Sequence, residues 1–238
     1  MKSEKLAVVI IAFNRVDLIV QQAKCMRKFC LDDYDLIVVD NSNDPGVSAH
    51  LLSLSGELGF EYFQTRIVSS DGSVNHATAC NMAYQKYCIH YGYFLFLDHD
   101  CFPVKSFSVS AVLSGKIIAG MPQTKPTRIY FWPGCLMINN NRILHSLVDF
   151  APNSALGLDT GGNLFKVIDY YGLEQCFFLD EEHVKNPSFN KSFYDFYALI
   201  NSGVFMHFIN ASNWNNSAEN TLRVESLYRI LAEKIESA

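Results

Sequence analysis

The chain opens with LAVVIIAF, Leu6 to Phe13, an apolar run rich in β-branched residues. Such a run predicts a strand covered on both faces. Asn14 is placed to cap the next element. In RVDLIVQQAKCMRKF, Val16, Ile19, Val20, Ala23 and Met26 recur at helical spacing. YDLIVVD predicts a second buried strand ending at Asp40, NSNDPG supplies turn chemistry, and GFEYFQT predicts a shorter strand. HATACNMAYQKYCIHY reads as a helix with Cys80, Tyr84, Tyr87, Cys88 and Tyr91 on one side, and YFLFLD as the next strand. This order of β, α, β, an optional α, β, α and β predicts an α/β fold with a mainly parallel central sheet flanked by helices.

The second half is less regular. GKIIAGM, TRIYFWPG and CLMIN predict short strands, LDTGGNLFKVIDYYG a helix with a glycine-rich entry, and GVFMHFINAS a late strand. NTLRVESLYRILAEKIESA predicts a terminal helix with Val224, Leu227, Tyr228, Leu231 and Ile235 on one stripe, suited to packing or self-association as a homo-oligomer. There is no repeat, low-complexity tract or long linker. The simplest division is one domain over 1–238: a nucleotide-binding half to about 103, a substrate-shaping half over 104–215, and the terminal helix over 216–238.

Composition adds limits. The 238 residues are 49% hydrophobic and 18% charged, enough for a sizeable core. A net charge of −5 argues against a nucleic-acid partner. The seven cysteines form no CxxC pair, which predicts a buried, reduced set and a cytoplasmic location. The run from Leu6 to Ala12 is too short to span a membrane and carries no signal-peptide cleavage pattern, so no transmembrane segment is expected.

Candidate chemistry collects at strand ends, where open α/β sheets bind ligands. Three predicted ends are polar: Ala12-Phe13-Asn14, Asp40-Asn41-Ser42 and Asp98-His99-Asp100. The last closes YFLFLDHDCFP, where two carboxylates one residue apart leave a buried strand together. Both can face one divalent cation, and oxygen ligands suit Mg²⁺ or Mn²⁺, whose shell phosphate oxygens commonly complete. The alternative is a turn cap at Asp98 and a solvated Asp100. In YFWPGCLMIN, the aromatic face of Trp132 suits the apolar face of a sugar.

With VVIIAFNR, DLIVVDNSND, NHATACNMAYQ and YFLFLDHDCFP in this order and spacing, the chain resembles the GT-A glycosyltransferases, in particular the family-two-like group, over roughly residues 5 to 210. The resemblance implies a nucleoside diphosphate sugar donor, with a bias to UDP, and a glycan or lipid-linked acceptor. It implies that Ala12, Phe13 and Asn14 flank the nucleoside and that Asp40 binds the base or ribose. Asp71, Asn75 and His76 would line the same pocket, Asn81 would sit near the donor, and Asp98 and Asp100 would hold the metal and diphosphate. His99, inside the motif, would belong to the donor site with its side chain away from the metal. His207 would be the third metal ligand and Gly134 an acceptor-side glycine. For an inverting transfer it implies a carboxylate base. Asp159, at a glycine-flanked helix start, is preferred over the cluster from Asp180 to His183, although neither reproduces the family's usual form.

Three other readings compete. A retaining transferase of the same fold would share the metal ligands. A nucleotidyltransferase would normally carry a glycine-rich, basic loop after the first strand, and IAFNRVD has no glycine and one arginine. A non-catalytic nucleotide-sugar or glycan-binding module is the non-enzyme option.

Overall fold

The computed structural model describes residues 3–67, 69–126, 128–185, 196–214 and 217–238. Position 216 of the expected terminal segment and Thr127 of an expected strand lie outside the described residues. Strands β1 (Ser3–Ala12), β2 (Tyr34–Asp40), β3 (Phe60–Gln64) and β4 (Tyr91–Asp98) alternate with helices α1 (Val16–Phe29), α2 (Pro45–Leu58) and α3 (Gly72–Tyr87). These strands pair in parallel. Beyond β4 come β5 (Cys101–Pro103), α4 (Val109–Leu113), β6 (Ile118–Lys125), β7 (Arg128–Asn139), α5 (Phe165–Tyr171) and β8 (Cys176–Phe178). The chain ends with β9 (Glu181–Val184), β10 (Tyr197–Ile200), β11 (Phe205–His207) and α6 (Ala218–Glu236).

The main sheet has seven strands in the order β3-β2-β1-β4-β7-β6-β8. Only β7 runs against the rest, because its pairs with β4 and β6 are antiparallel while β6 and β8 are parallel. The expected α/β class with a mainly parallel sheet therefore describes this molecule. Successive β1 residues face opposite cores: Val8 and Ile10 pack with α1, whereas Ala7 and Val9 pack with α3. A strand enclosed in this way has no reason to alternate in polarity, which accounts for its unbroken apolar sequence.

Several local expectations need correction. Asn14 does not cap α1. It adopts φ 53° and clasps the loop after β2, donating from Nδ2 to Asn43 and accepting through Oδ1 from the Asn43 and Asp44 amides. The NSNDPG turn ends by starting a full helix: Asp44 accepts from Gly46 N–H and Pro45 opens α2, a position where its missing N–H costs nothing. Helix α3 begins earlier than expected, because Asp71 accepts from the amides of Ser73 and Val74, and Tyr91 has already joined β4. The two short strands expected over 127–139 are one strand. It bulges where Gly120 pairs with Leu136 but Met121 pairs with Trp132, leaving Pro133, Gly134 and Cys135 extra. Proline has no N–H for the ladder, which favours such a break.

The antiparallel sheet β5-β11-β10-β9 was not expected. Its strands have three or four residues, too few to show a period. The acidic run read as a cluster at 180–183 contributes β9, which pairs with β10. All seven cysteines are free thiols, six of them buried.

Candidate active site

A cavity of ≈ 450 Å³ opens at the carboxyl ends of β1, β2 and β4. Ile11 and Phe13 line it from β1 and its exit, Asn41 from beyond β2, and Gly72, Asn75 and His76 from the start of α3. The turn after β4 contributes Asp98, His99 and Asp100. Trp132 enters from β7, at the edge of the bulge, and the far wall is His207 with Ile209, Asn210, Ser212 and Asn213. The cavity thus lies where the main sheet meets the smaller one, because β5 leaves the turn and pairs with β11 so that Cys101 sits opposite His207.

Each motif carboxylate faces a histidine. Asp98 Oδ1 lies 3.0 Å from His76 Nε2, and Asp100 Oδ1 lies 3.5 Å from His207 Nε2. Asp100 also accepts from the Ser212 amide at 3.2 Å. Burial alone would lower the pKa of His76, but the Asp98 charge outweighs it and raises the imidazole well above its ordinary value. Burial opposes charge on His207 too, and its hydrogen bond with Asp100 carries its pKa upward. Burial would raise the pKa of Asp100, yet His207 and the Ser212 N–H hold the carboxyl below its ordinary range. The His207 ring packs against Trp132, with centroids 4.8 Å apart.

His99 turns toward β1. Its Nδ1 is 2.8 Å from the carbonyl oxygen of Ile11. A carbonyl only accepts, so Nδ1 carries the hydrogen. Nε2 is buried and has no hydrogen-bond partner among the described residues, and the same is true of Asn75 Oδ1.

Of the residues anticipated from sequence, the cavity brings together Phe13, Asn75, His76, Asp98, His99, Asp100, Trp132 and His207. The others stand outside its wall. Ala12 is buried in the sheet, and Asn14 clasps the neighbouring loop. Asp40 is fully buried, and its two oxygens accept from Ser42 N–H and Tyr62 O–H. The wall position there is Asn41. Asp71 caps α3. Asn81 uses both ends of its amide on the segment before α5, donating to Asp149 and accepting from Phe150 N–H. At Gly134 the close neighbour is the Trp132 ring, which lies where a Cβ would be.

Asp159 is exposed and is not a helix cap. A short 3-10 turn, Gly162–Leu164, precedes α5, and Gly161, with φ 84°, lies directly before that turn. Asp159 Oδ1 instead accepts from Tyr130 O–H at 2.6 Å. Its neighbour Thr160 donates to the Ser73 carbonyl, which ties this segment to the first turn of α3. Among the later acidic residues, Glu181 pairs with His183 at 3.1 Å, and Asp180 accepts from the amide and hydroxyl of Ser202.

Sequence reasoning set Asn41 on a polar strand end without giving it a role of its own, and it missed Ile11, Gly72 and the stretch from Ile209 to Asn213. The sequence signal for that stretch was the polar INASN after an apolar strand; Asn210 there takes φ 60°, a conformation asparagine tolerates better than most residues.

Among the described residues, no three His, Cys, Asp or Glu side chains are gathered as a cluster ready to hold a metal ion. The chemistry of the wall nevertheless fits a divalent cation. It offers two carboxylates on one turn with imidazoles beside them, and among the described residues no lysine or arginine lines the cavity.

No family model matches the chain, and no curated protein matches it. Solved glycosyltransferases are similar at low identity. The galactosyltransferase LgtC, in complex with donor and acceptor sugar analogues, is 12% identical over 97% of this chain and 95% of that one, with a TM-score of 0.49. S. aureus TarS 1–349 in complex with UDP is 14% identical over 70% of this chain and 55% of that one, with a TM-score of 0.48. The mannosyltransferase PcManGT from Pyrobaculum calidifontis, in complex with GDP-Man and Mn²⁺, is 14% identical over 67% of this chain and 50% of that one, with a TM-score of 0.47. The chain spans 22% of another TarS structure and 45% of the Streptococcus pneumoniae GlyE structure.

Proposed function

We propose that this chain is a GT-A-type glycosyltransferase that moves a sugar from a nucleoside diphosphate sugar, UDP-linked by preference, to a hydroxyl of a glycan or lipid-linked acceptor. The observation that carries this reading is the cavity wall: two carboxylates on one turn at the carboxyl edge of a parallel sheet, each beside an imidazole, with an aromatic face near them. Phe13, Asn41 and Asn75, which line the cavity, would contact the nucleoside. Trp132 presents an aromatic face to a sugar.

Asp98 and Asp100 would hold Mn²⁺ or Mg²⁺, with His207 as a third ligand. Such an ion, when bound, neutralises charge developing on a leaving diphosphate. His76 and His207 compete with it for the carboxylates, so cation affinity is linked to protons. In an inverting reaction the acceptor oxygen bonds to the anomeric carbon, the bond from that carbon to the diphosphate oxygen breaks, and Asp159 takes the hydroxyl proton. Tyr130 orients the Asp159 carboxylate, and Thr160 keeps the segment against α3. The free thiols suit a reducing, cytoplasmic setting.

Calorimetric titration with UDP tests the reading. Binding is expected with Mn²⁺ and should be lost with a chelator or in Asp100→Asn, while Asp100→Asn remains folded. Equal UDP affinity with chelator and with Mn²⁺ would exclude a cation-held diphosphate.

A further inference from the structure

Helix α1 turns an apolar face to the core through Leu18, Ile19, Ala23, Cys25, Met26 and Phe29, and Gln22 lies among them, fully buried. A primary amide in such a place costs free energy unless it is hydrogen-bonded, and leucine or methionine would fill the same volume without that cost. The Gln22 amide nitrogen has two hydrogens, and both are used. Nε2 donates to the Asp98 carbonyl at 2.9 Å and to the Cys101 carbonyl at 2.7 Å. These two carbonyls bracket His99 and Asp100. One side chain therefore closes the turn that carries both motif carboxylates. Its Oε1 has no hydrogen-bond partner among the described residues, so the bonds of this side chain are all directed at the turn.

The opposite side of the turn is pinned by His99 Nδ1 on the Ile11 carbonyl. Cys101 is also the residue that β5 sets opposite His207. A shift of the turn relative to α1 would therefore move Asp98 against His76 and Asp100 against His207 together. We infer that Gln22 is a positioning residue: from the back of the cavity it sets the separation and aim of Asp98 and Asp100, and so the affinity of the site for a divalent cation. This inference rests on the proposed nucleotide-sugar donor for the cation, but not for the clamp itself.

The test compares wild-type protein with Gln22→Met, which keeps the volume and removes both donors. Leu231→Val, at a buried position of α6 that does not line the cavity, is the control for a general loss of stability. Two quantities are measured: amide hydrogen exchange across 98–101, and the Mn²⁺ concentration that half-saturates UDP binding. Removing a group that orients metal ligands typically weakens metal affinity roughly 10–100-fold. The expected result for Gln22→Met is faster exchange confined to this turn and a Mn²⁺ requirement raised about tenfold or more, with both unchanged in Leu231→Val. A Mn²⁺ requirement within about twofold of wild type overturns the inference, whether or not exchange changes, because ~10-fold is the smallest effect expected of an orienting partner. Wild-type protein that binds UDP without any need of Mn²⁺ overturns the proposed donor site instead, and the exchange measurement then decides alone whether Gln22 holds the turn. If Gln22→Met does not fold, Gln22→Asn, which keeps an amide but withdraws it from both carbonyls, is judged by the same criteria.

Discussion

An ideal Cβ at Gly134 would lie 2.0 Å from the Trp132 ring. The glycine therefore provides the space in which the indole lies back against its own strand and meets His207. Gly134→Ala has to push the ring away, and overpacking of this kind costs about 1–3 kcal/mol. We expect a lower unfolding midpoint together with altered tryptophan emission, since Trp132 is one of only two tryptophans in the chain. Unchanged emission and midpoint would show that the ring is not held there. Asp159 makes a different prediction. A base acts only as the hydroxyl loses its proton, so Asp159→Asn is expected to reduce kcat by roughly 10²–10⁴-fold while UDP affinity is retained. Near-normal turnover, with the loss appearing in Glu181→Gln or Glu182→Gln instead, would move the base to β9.

At the scale of elements, α6 is docked on this molecule rather than left bare. Leu227 and Leu231 are fully buried in the core shared with α1. Tyr228 O–H donates to Asp17, which also takes two hydrogen bonds from Arg15. Arg15 in turn donates to the Ala211 carbonyl at 2.6 Å, in the stretch that forms the far wall of the cavity. Truncating a buried leucine costs about 2–5 kcal/mol, and Leu231→Ala should show a loss of that size in urea unfolding. Burial alone would raise the pKa of Asp17, but its bonds from Arg15 and Tyr228 bring it below the ordinary value. A depressed carboxylate stabilises the fold at pH above the unfolded value, about 4, and that contribution fades as pH falls through the lower folded value. The melting temperature of Asp17→Asn should therefore lie below that of wild type at neutral pH, and the gap should close below about pH 4. A gap independent of pH would mean that Asp17 contributes no charge-dependent stability.

On the scale of the whole molecule, the cavity is bounded by both sheets, so a ligand there ties them together. A ligand that binds only the folded state at a hundred times its Kd stabilises by about 2.7 kcal/mol. Saturating UDP with Mn²⁺ should raise the melting temperature and slow amide exchange both in the first turn of α3 and over 207–213. Protection limited to α3 would place the ligand on the main sheet alone. Among the described residues, no helix is long and apolar enough to cross a membrane.

The parallel half of the sheet was legible because burial on both faces demands long apolar strands, and the helices between them repeat at their own period. The carboxylate pair was legible because Asp98 and Asp100 end such a strand abruptly. The antiparallel sheet was not, since strands as short as Glu181–Val184 and Tyr197–Ile200 carry no period, and only pairing with β5 brings His207, on the late strand that was expected, to Asp100. Asp40, Asn81 and Asp71 had the residue types of a binding site, yet their oxygens and amides are used by neighbouring side chains and backbone. Residue type in a sequence announces a capacity for hydrogen bonding but not which partner will take it. Gln22 is the converse case. On a helix it counts as one more surface polar residue, and only the packing of α1 beneath the motif turn makes its amide part of the site. Local pattern thus determined the strands and helices whose burial is continuous. Which polar groups face the cavity was decided by contacts between residues far apart in the chain, because the direction and partners of a polar side chain depend on what the fold packs beside it.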